Sequence, residues 1–201
     1  MRPAATWAPR PALQRLTRLL LVVSAVVLTS LPGAARSTTV EALDEDALLE
    51  RSACVFWGDC LEARPEWSAD RQRIYTRVRF APREVLKGDP APLVELLIPG
   101  GELEGKAYVI HGMPTIRAGS EVVLFASHPH PKSKVCVPVG LGQGVYFVNR
   151  RADVAQARRD TRDLRVLAQG EARSRPGKLE VVELDALLGR LRSKVRGGRP
   201  R

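Results

Sequence analysis

Aromatic residues make up only 5% of this 201-residue chain: four Phe, three Tyr and three Trp. Asparagine occurs once, at Asn149, and cysteine three times. No run of about 20 apolar residues is present, which excludes a polytopic helical membrane protein. The short catalytic signatures are missing too. Without H-E-x-x-H there is no helix-borne zinc protease site, and without G-x-S-x-G there is no nucleophile elbow. The glycines of Gly140–Gly144 have no Lys-Ser/Thr after them. That excludes a P-loop and leaves a bulged β-turn. A cysteine nucleophile needs a histidine and an orienting group, and sequence spacing places neither His111 nor His128 beside Cys136. The chain carries no recognisable catalytic residue and implies no cofactor.

Charge is what the chain does have: 32 basic against 22 acidic residues, a formal +10. Residues 1–37 hold five Arg and no acid, residues 38–149 carry −3, and residues 150–201 carry +8. Arg outnumbers Lys 26 to 6 beside abundant Ala and Gly, a bias that a GC-rich genome produces without selection for phosphate contacts. The net charge is therefore not read as a nucleic-acid signature.

The first segment has the layout of a secretory signal peptide. Arg2–Arg18 is a basic n-region, Leu19–Leu31 a 13-residue apolar h-region, and Pro32-Gly33 with Ala34 and Ala35 a small-residue site. Cleavage is expected after Ala35 or Ser37, giving a secreted or periplasmic protein whose membrane contact is confined to the signal and, weakly, the basic tail. Export makes a disulfide possible. Cys54 and Cys60 are six apart in a strand-like segment, about 20 Å when extended, so a bridge would join Cys136 to one or the other. Three buried thiols are the alternative.

Along the mature chain, Glu41–Arg51 reads as a short helix. Ser52–Leu61 alternates Cys54, Phe56, Gly58 and Cys60 against Val55, Trp57 and Asp59, and Glu62–Arg71 reads as a loop carrying Trp67. Arg73–Phe80 is the clearest strand, with Ile74, Thr76, Val78 and Phe80 inward and Tyr75, Arg77 and Arg79 outward. Val85–Pro90 reads as a turn. Further strands are expected at Leu93–Ile98, Val122–Ser127, Val135–Val139 and Val145–Val148, with Leu103–Ile116 irregular. Short strands between Gly/Pro turns predict a small all-β barrel or sandwich. Residues 150–183 read as a basic polar extension, 184–195 as a docked helix with Leu184, Leu187, Leu188 and Leu191 on one face, and 196–201 as a disordered tail.

The order of motifs is T-T-V (Thr38–Val40), R-I-Y-T-R-V, V-L-K-G (Val85–Gly88), P-G-G (Pro99–Gly101), G-M-P (Gly112–Pro114), G-S-E-V-V-L-F (Gly119–Phe125) and G-L-G-Q-G (Gly140–Gly144). It resembles a group of uncharacterised secreted bacterial proteins over roughly residues 38–149 and the terminal L-D-A-L-L helix. More distantly the layout is similar to netrin-like, metalloproteinase-inhibitor-type barrels. The resemblance implies a small OB-like antiparallel β-barrel at 38–149, with a short N-terminal helix and a C-terminal helix. The animal inhibitors insert an N-terminal Cys into a protease site. Here no Cys precedes Cys54 in the mature chain, so only the barrel is carried over.

These readings make the chain an exported, non-enzymatic interaction module whose partner is another exported protein, a protease being one possibility. Candidate contact surfaces are Glu62–Arg71 with Trp67, the Gly100–Pro114 loop and the Gly140–Gly144 rim with Gly142 and Gln143, joined by Tyr75 and Arg77 on the outward face of Arg73–Phe80. Trp67 folded back onto the barrel is the competing reading. A metal site at His128 and His130 would need His111 as third ligand; a rigid Pro-flanked turn is the plainer use of His128–Pro131. A nucleic-acid face built on Tyr75, Arg77 and Arg79 is opposed by export, the acidic barrel and the scarcity of aromatics. The basic extension could touch anionic envelope polymers or headgroups.

Overall fold

The computed structural model describes residues 38–131, 136–150 and 153–198. The expected signal peptide, 1–37, and residues 199–201 of the expected tail lie outside them. Among the described residues the chain is mainly β, with twelve strands and two α-helices. In chain order these are β1 (Thr38–Glu41), α1 (Glu45–Arg51), β2 (Ser52–Trp67), β3 (Ile74–Lys87), β4 (Val94–Pro99), β5 (Gly101–Leu103), β6 (Lys106–Tyr108), β7 (Glu121–Ser127), β8 (Val145–Asn149), β9 (Gln156–Asp160), β10 (Leu164–Leu167), β11 (Arg175–Pro176), β12 (Leu179–Glu183) and α2 (Leu184–Gly197). No helix among them is long and apolar enough to cross a membrane.

A seven-stranded sheet in the order β12-β9-β8-β7-β2-β3-β4 is antiparallel throughout. A three-stranded sheet, β1-β10-β11, pairs β1 with β10 in parallel, and β5 and β6 form a hairpin. The period-2 pattern of β2 and β7 feeds two cores at once. Val55, Val123 and Phe125 enter a cluster roofed by Leu48 and Leu49 of α1 and by Leu184, Leu187, Leu188 and Leu191 of α2. Phe56, Cys60, Val122, Leu124 and Ala126 enter a second cluster with Val78, Phe80, Leu96, Ile98 and Ile116. The two-faced alternation expected for Ser52–Leu61 is therefore observed.

Local chemistry sets the ends of α1. Asp44 caps it by accepting the Ala47 N–H at 2.8 Å, and Glu45 and Asp46 complement the dipole in the first turn. At the other end the Lys87 ammonium donates to the carbonyls of Leu49 and Ser52, at 2.5 and 2.7 Å. Gly88 has φ +83°, and a Cβ there would sit 2.5 Å from the Ala53 carbonyl oxygen. The V-L-K-G motif thus joins β3 to the α1–β2 corner, a place only glycine fits.

Several sequence expectations are corrected. β2 continues through Trp67, so the loop expected from Glu62 begins at Ser68; cross-strand pairs as far as Trp67↔Ile74 keep it extended. β3 runs to Lys87, so the turn expected at Val85 begins at Gly88. Gly140–Gly144 holds a 3₁₀ turn at Leu141–Gly144, not a bulged β-turn. Residues 150–183 are no mere polar extension: β9 extends the main sheet beside β8, and β10 seats β1. They belong to one compact unit spanning Ser37–Arg201. α2 takes in Arg196 and Gly197, which were assigned to the tail.

The charge imbalance between the two halves is resolved inside the molecule. Arg190 pairs with Glu45, Arg192 with Glu84 through two bonds of 2.7 Å, Lys194 with Asp46, and Arg150 with Glu121. Most of these side chains are a third or more exposed, so each pair contributes about 0–1 kcal/mol. The buried leucines of α2 outweigh them. Leu188→Ala should cost about 2–5 kcal/mol in urea unfolding, whereas Arg192→Ala should cost under about 1 kcal/mol. Equal losses would mean that charge, not apolar burial, docks the helix.

Candidate functional site

Two of the three expected contact segments meet at one end of the sheet, around Trp67. The β2–β3 turn is built by short polar side chains: Asp70 accepts from Ser68 Oγ at 2.5 Å and from the Gln72 N–H at 3.1 Å, and Ser68 Oγ accepts from the Arg73 N–H. That geometry holds Arg71 at φ +54°. In the β5–β6 hairpin, Leu103 pairs with Lys106 across a two-residue turn whose residues, Glu104 and Gly105, have φ +54° and +72°. Both signs match a type I′ turn, which glycine tolerates and glutamate resists.

Both strained residues contact Trp67. Its indole N–H donates to Glu104 at 3.2 Å, and Arg71 lies 3.6 Å from the same carboxylate. The Arg71 guanidinium lies 5.8 Å from the ring centroid and the Lys106 ammonium 5.5 Å from it. Trp67 is half-buried, so neither the free loop residue nor the fully folded-back one is observed. Arg73 adds a further cation against two tyrosines. A hydrogen bond with Tyr75, then the proximity of Tyr75 and Tyr108, raises its pKa. Beside the hairpin opens a cavity of about 250 Å³ lined by Thr76, Ile98, Tyr108, Met113 and Ile116, with Val109, 71% exposed, also in its wall.

The remaining expected contact residues fare differently. Arg77 is pinned to Glu66 through two bonds of 2.9 and 2.5 Å and also reaches Glu95; Arg79 pairs with Glu62. The outward Arg stripe is a charge-paired face. Gln143 is 4% exposed, and its amide ties chain segments together: Oε1 accepts from the Leu43 N–H at 2.8 Å, and Nε2 donates to the carbonyls of Glu41 and Gly140. Gly142 is buried, with its N–H donating to the Gly112 carbonyl at 2.8 Å. Gly140 has φ +65° and packs on Leu43, so G-L-G-Q-G is a structural clasp for the link between β1 and α1. The expectation that Gly142 and Gln143 present a rim to a partner is corrected by their burial.

Arg71, Glu104, Lys106 and Tyr108 were missed by sequence reasoning, which left Leu103–Ile116 irregular. The available signal was Glu104-Gly105 between short β-capable runs, with glycine at the second position of a two-residue hairpin turn. The second large indole cluster is architectural. Trp57 packs on the α1/α2 core, donates to Glu121 at 2.7 Å, and lies between Arg83 and Arg150.

All three cysteines are thiols. Cys54 and Cys136 both pack on the second core, while Cys60 Sγ donates to the Glu62 carbonyl at 3.3 Å. Burial, helped by the charge of Cys136, pushes the Cys54 thiol up to about 11; burial also raises Cys60 and Cys136. Among the described residues no three His, Cys, Asp or Glu side chains gather where one metal could sit, and this includes His111, His128 and His130. No family model matches the chain, and no curated protein or solved structure matches it.

Two measurements follow from these groups. Cys54 should react with iodoacetamide at about pH 8 at least about tenfold more slowly than a free cysteine, because only the thiolate attacks; labelling as fast as free cysteine would contradict its burial. Glu121, bonded by Arg150 and by Trp57, titrates below its ordinary value of 4.5. Its pKa is depressed on folding, so its stabilisation is present above about pH 4.5 and lost as pH falls through the native value. Glu121→Gln should flatten the decline of the urea midpoint in that acidic range. An unchanged slope would show that the contact adds nothing.

Proposed function

We propose that the chain is an exported, non-enzymatic interaction module built on an OB-like barrel, and that it engages another exported protein through the Trp67 end. Export rests on the signal-like composition of residues 1–37. The barrel reading is supported by residues 136–139, which bridge the two sides of the curled sheet. Cys136 lies parallel to Leu96 of β4, Pro138 antiparallel to Ala126 of β7, and bonds of 3.1, 2.8 and 2.9 Å link Leu97 to Cys136, Ser127 to Val137 and Val139 to Phe125. With that segment as a fifth strand, the ring β2-β3-β4-(136–139)-β7 follows the partly open OB arrangement.

The observation that carries the contact surface is the gathering of Arg71 and Lys106 over Trp67 at two hairpin tips with left-handed residues. Backbone strain of this kind costs about 1–3 kcal/mol per residue and persists where surrounding structure over-determines it, commonly at binding sites. Tryptophan flanked by arginine is also the composition that dominates protein interfaces. A cysteine nucleophile in particular is opposed by the burial that raises the three thiols. Binding of envelope polymers along the extension is the weaker reading, because Arg150, Arg159, Arg162, Arg175, Arg190, Arg192 and Lys194 already have carboxylate partners.

The test is capture of exported proteins by the purified chain, with chemical cross-linking, beside Trp67→Ala. The substitution should weaken a captured partner at least about thirtyfold, the scale of an interface hot spot of about 2 kcal/mol, and leave the unfolding midpoint nearly unchanged. Equal capture by both proteins would refute the Trp67 surface. Turnover in a hydrolase screen of the intact protein would refute the non-enzymatic reading.

A further inference from the structure

A separate cleft of about 250 Å³ opens between the small sheet and the corner where β9 meets β12. It shares no lining residue with the cavity near Trp67. Leu43, Val166 and Pro176 give it apolar walls, and its lining also includes three cations, Arg159, Arg175 and Lys178, and one carboxylate, Glu180.

The cations are not equivalent. Arg159 donates to Glu180 at 3.1 and 2.6 Å and to the Gln143 carbonyl at 3.3 Å, with its guanidinium 4.9 Å from the Tyr146 ring centroid. Arg159 and Glu180 therefore neutralise each other and form a rigid polar wall. Arg175 reaches outward to Glu171, and its side chain is 74% exposed. Lys178 makes no ion pair with a carboxylate among the described residues, yet its backbone is fixed. Thr161, 8% exposed, donates its hydroxyl to the Lys178 carbonyl at 2.9 Å and accepts from the Lys178 N–H at 3.0 Å. The cleft thus joins an uncompensated cation on an anchored backbone to an apolar wall.

We propose that this cleft binds a small amphipathic anion, with Lys178 taking a carboxylate or sulfonate head and Leu43, Val166 and Pro176 taking a short apolar body. Its volume lies at the small end of ligand pockets, which limits the body to a chain of up to about eight carbons and excludes a macromolecule. Head and body contribute separately: a charge-assisted contact aims the ligand, and apolar burial holds it. The site also gives the basic segment after Arg150 a use distinct from the ion pairs that dock α2.

Titration calorimetry on the intact protein at low ionic strength tests this with three probes: octanoate, inorganic sulfate and 1-octanol. Octanoate should bind, and sulfate and 1-octanol should each bind at least about tenfold more weakly, since each lacks one half of the recognition. Lys178→Glu should weaken octanoate at least about tenfold without moving the unfolding midpoint. Lys178→Gln, which removes the charge without adding an opposite one, provides the same reading should the first variant fold poorly. No heat with octanoate, equal affinity for 1-octanol or sulfate, or unchanged octanoate binding in the folded variants would each overturn the proposal.

Discussion

The structure depends on one constraint: β2 and β7 lie in the middle of a sheet that is buried on both faces. Adjacent residues in these strands serve different cores, Val55 and Phe56 in β2, Val123 and Leu124 in β7. Neither face can be left open without exposing a row of large apolar side chains to water. One face is closed by the sheet curling onto itself, with Ile116 from the long β6–β7 connection. The other requires helices, and the chain supplies them from its two ends, α1 and α2.

Covering a face with a distant terminal helix brings together segments of opposite charge. The acidic start of α1 and Glu84 of β3 receive the basic end of α2. What looked in composition like an acidic domain with a basic tail is one body whose halves complement each other. The ion pairs specify where α2 sits, while the leucines supply most of the stabilisation. A further consequence is that the cations of α2 nearest α1 and β3 are committed to ion pairs inside the molecule.

The motifs that made the sequence look familiar proved to be architectural. Lys87 and Gly88 close a helix corner, and Gly140 with Gln143 clasps the end of β1 and its link to α1 to the turn before β8. The fold class, the alternation of Ser52–Leu61 and Arg73–Phe80, and the face of α2 were legible because burial imposes a period of 2 or 3.6 on neighbouring residues. β9 and β10 were not legible. Q-A-R-R-D is mostly polar and L-R-V-L is only four residues long, and pairing with β8 and β1 makes them strands. At the candidate site, Trp67 was legible as a large residue near a turn. Its companions Arg71, Glu104 and Lys106 were not, since they come from two hairpins that meet only in space.

By itself, then, the sequence determined the mainly β class, the positions of most strands and the apolar stripe of the last helix. Each of these follows from the chemistry of residues a few places apart. Only the tertiary structure decided that Gln143 is a buried clamp, that Arg77 is pinned between two glutamates, and that the basic C-terminal segment is part of the sheet. Those outcomes rest on contacts between residues as much as 148 positions apart, as between Lys194 and Asp46. Such contacts leave no local period or spacing in the chain, because they are created by the same burial of two faces that folds it.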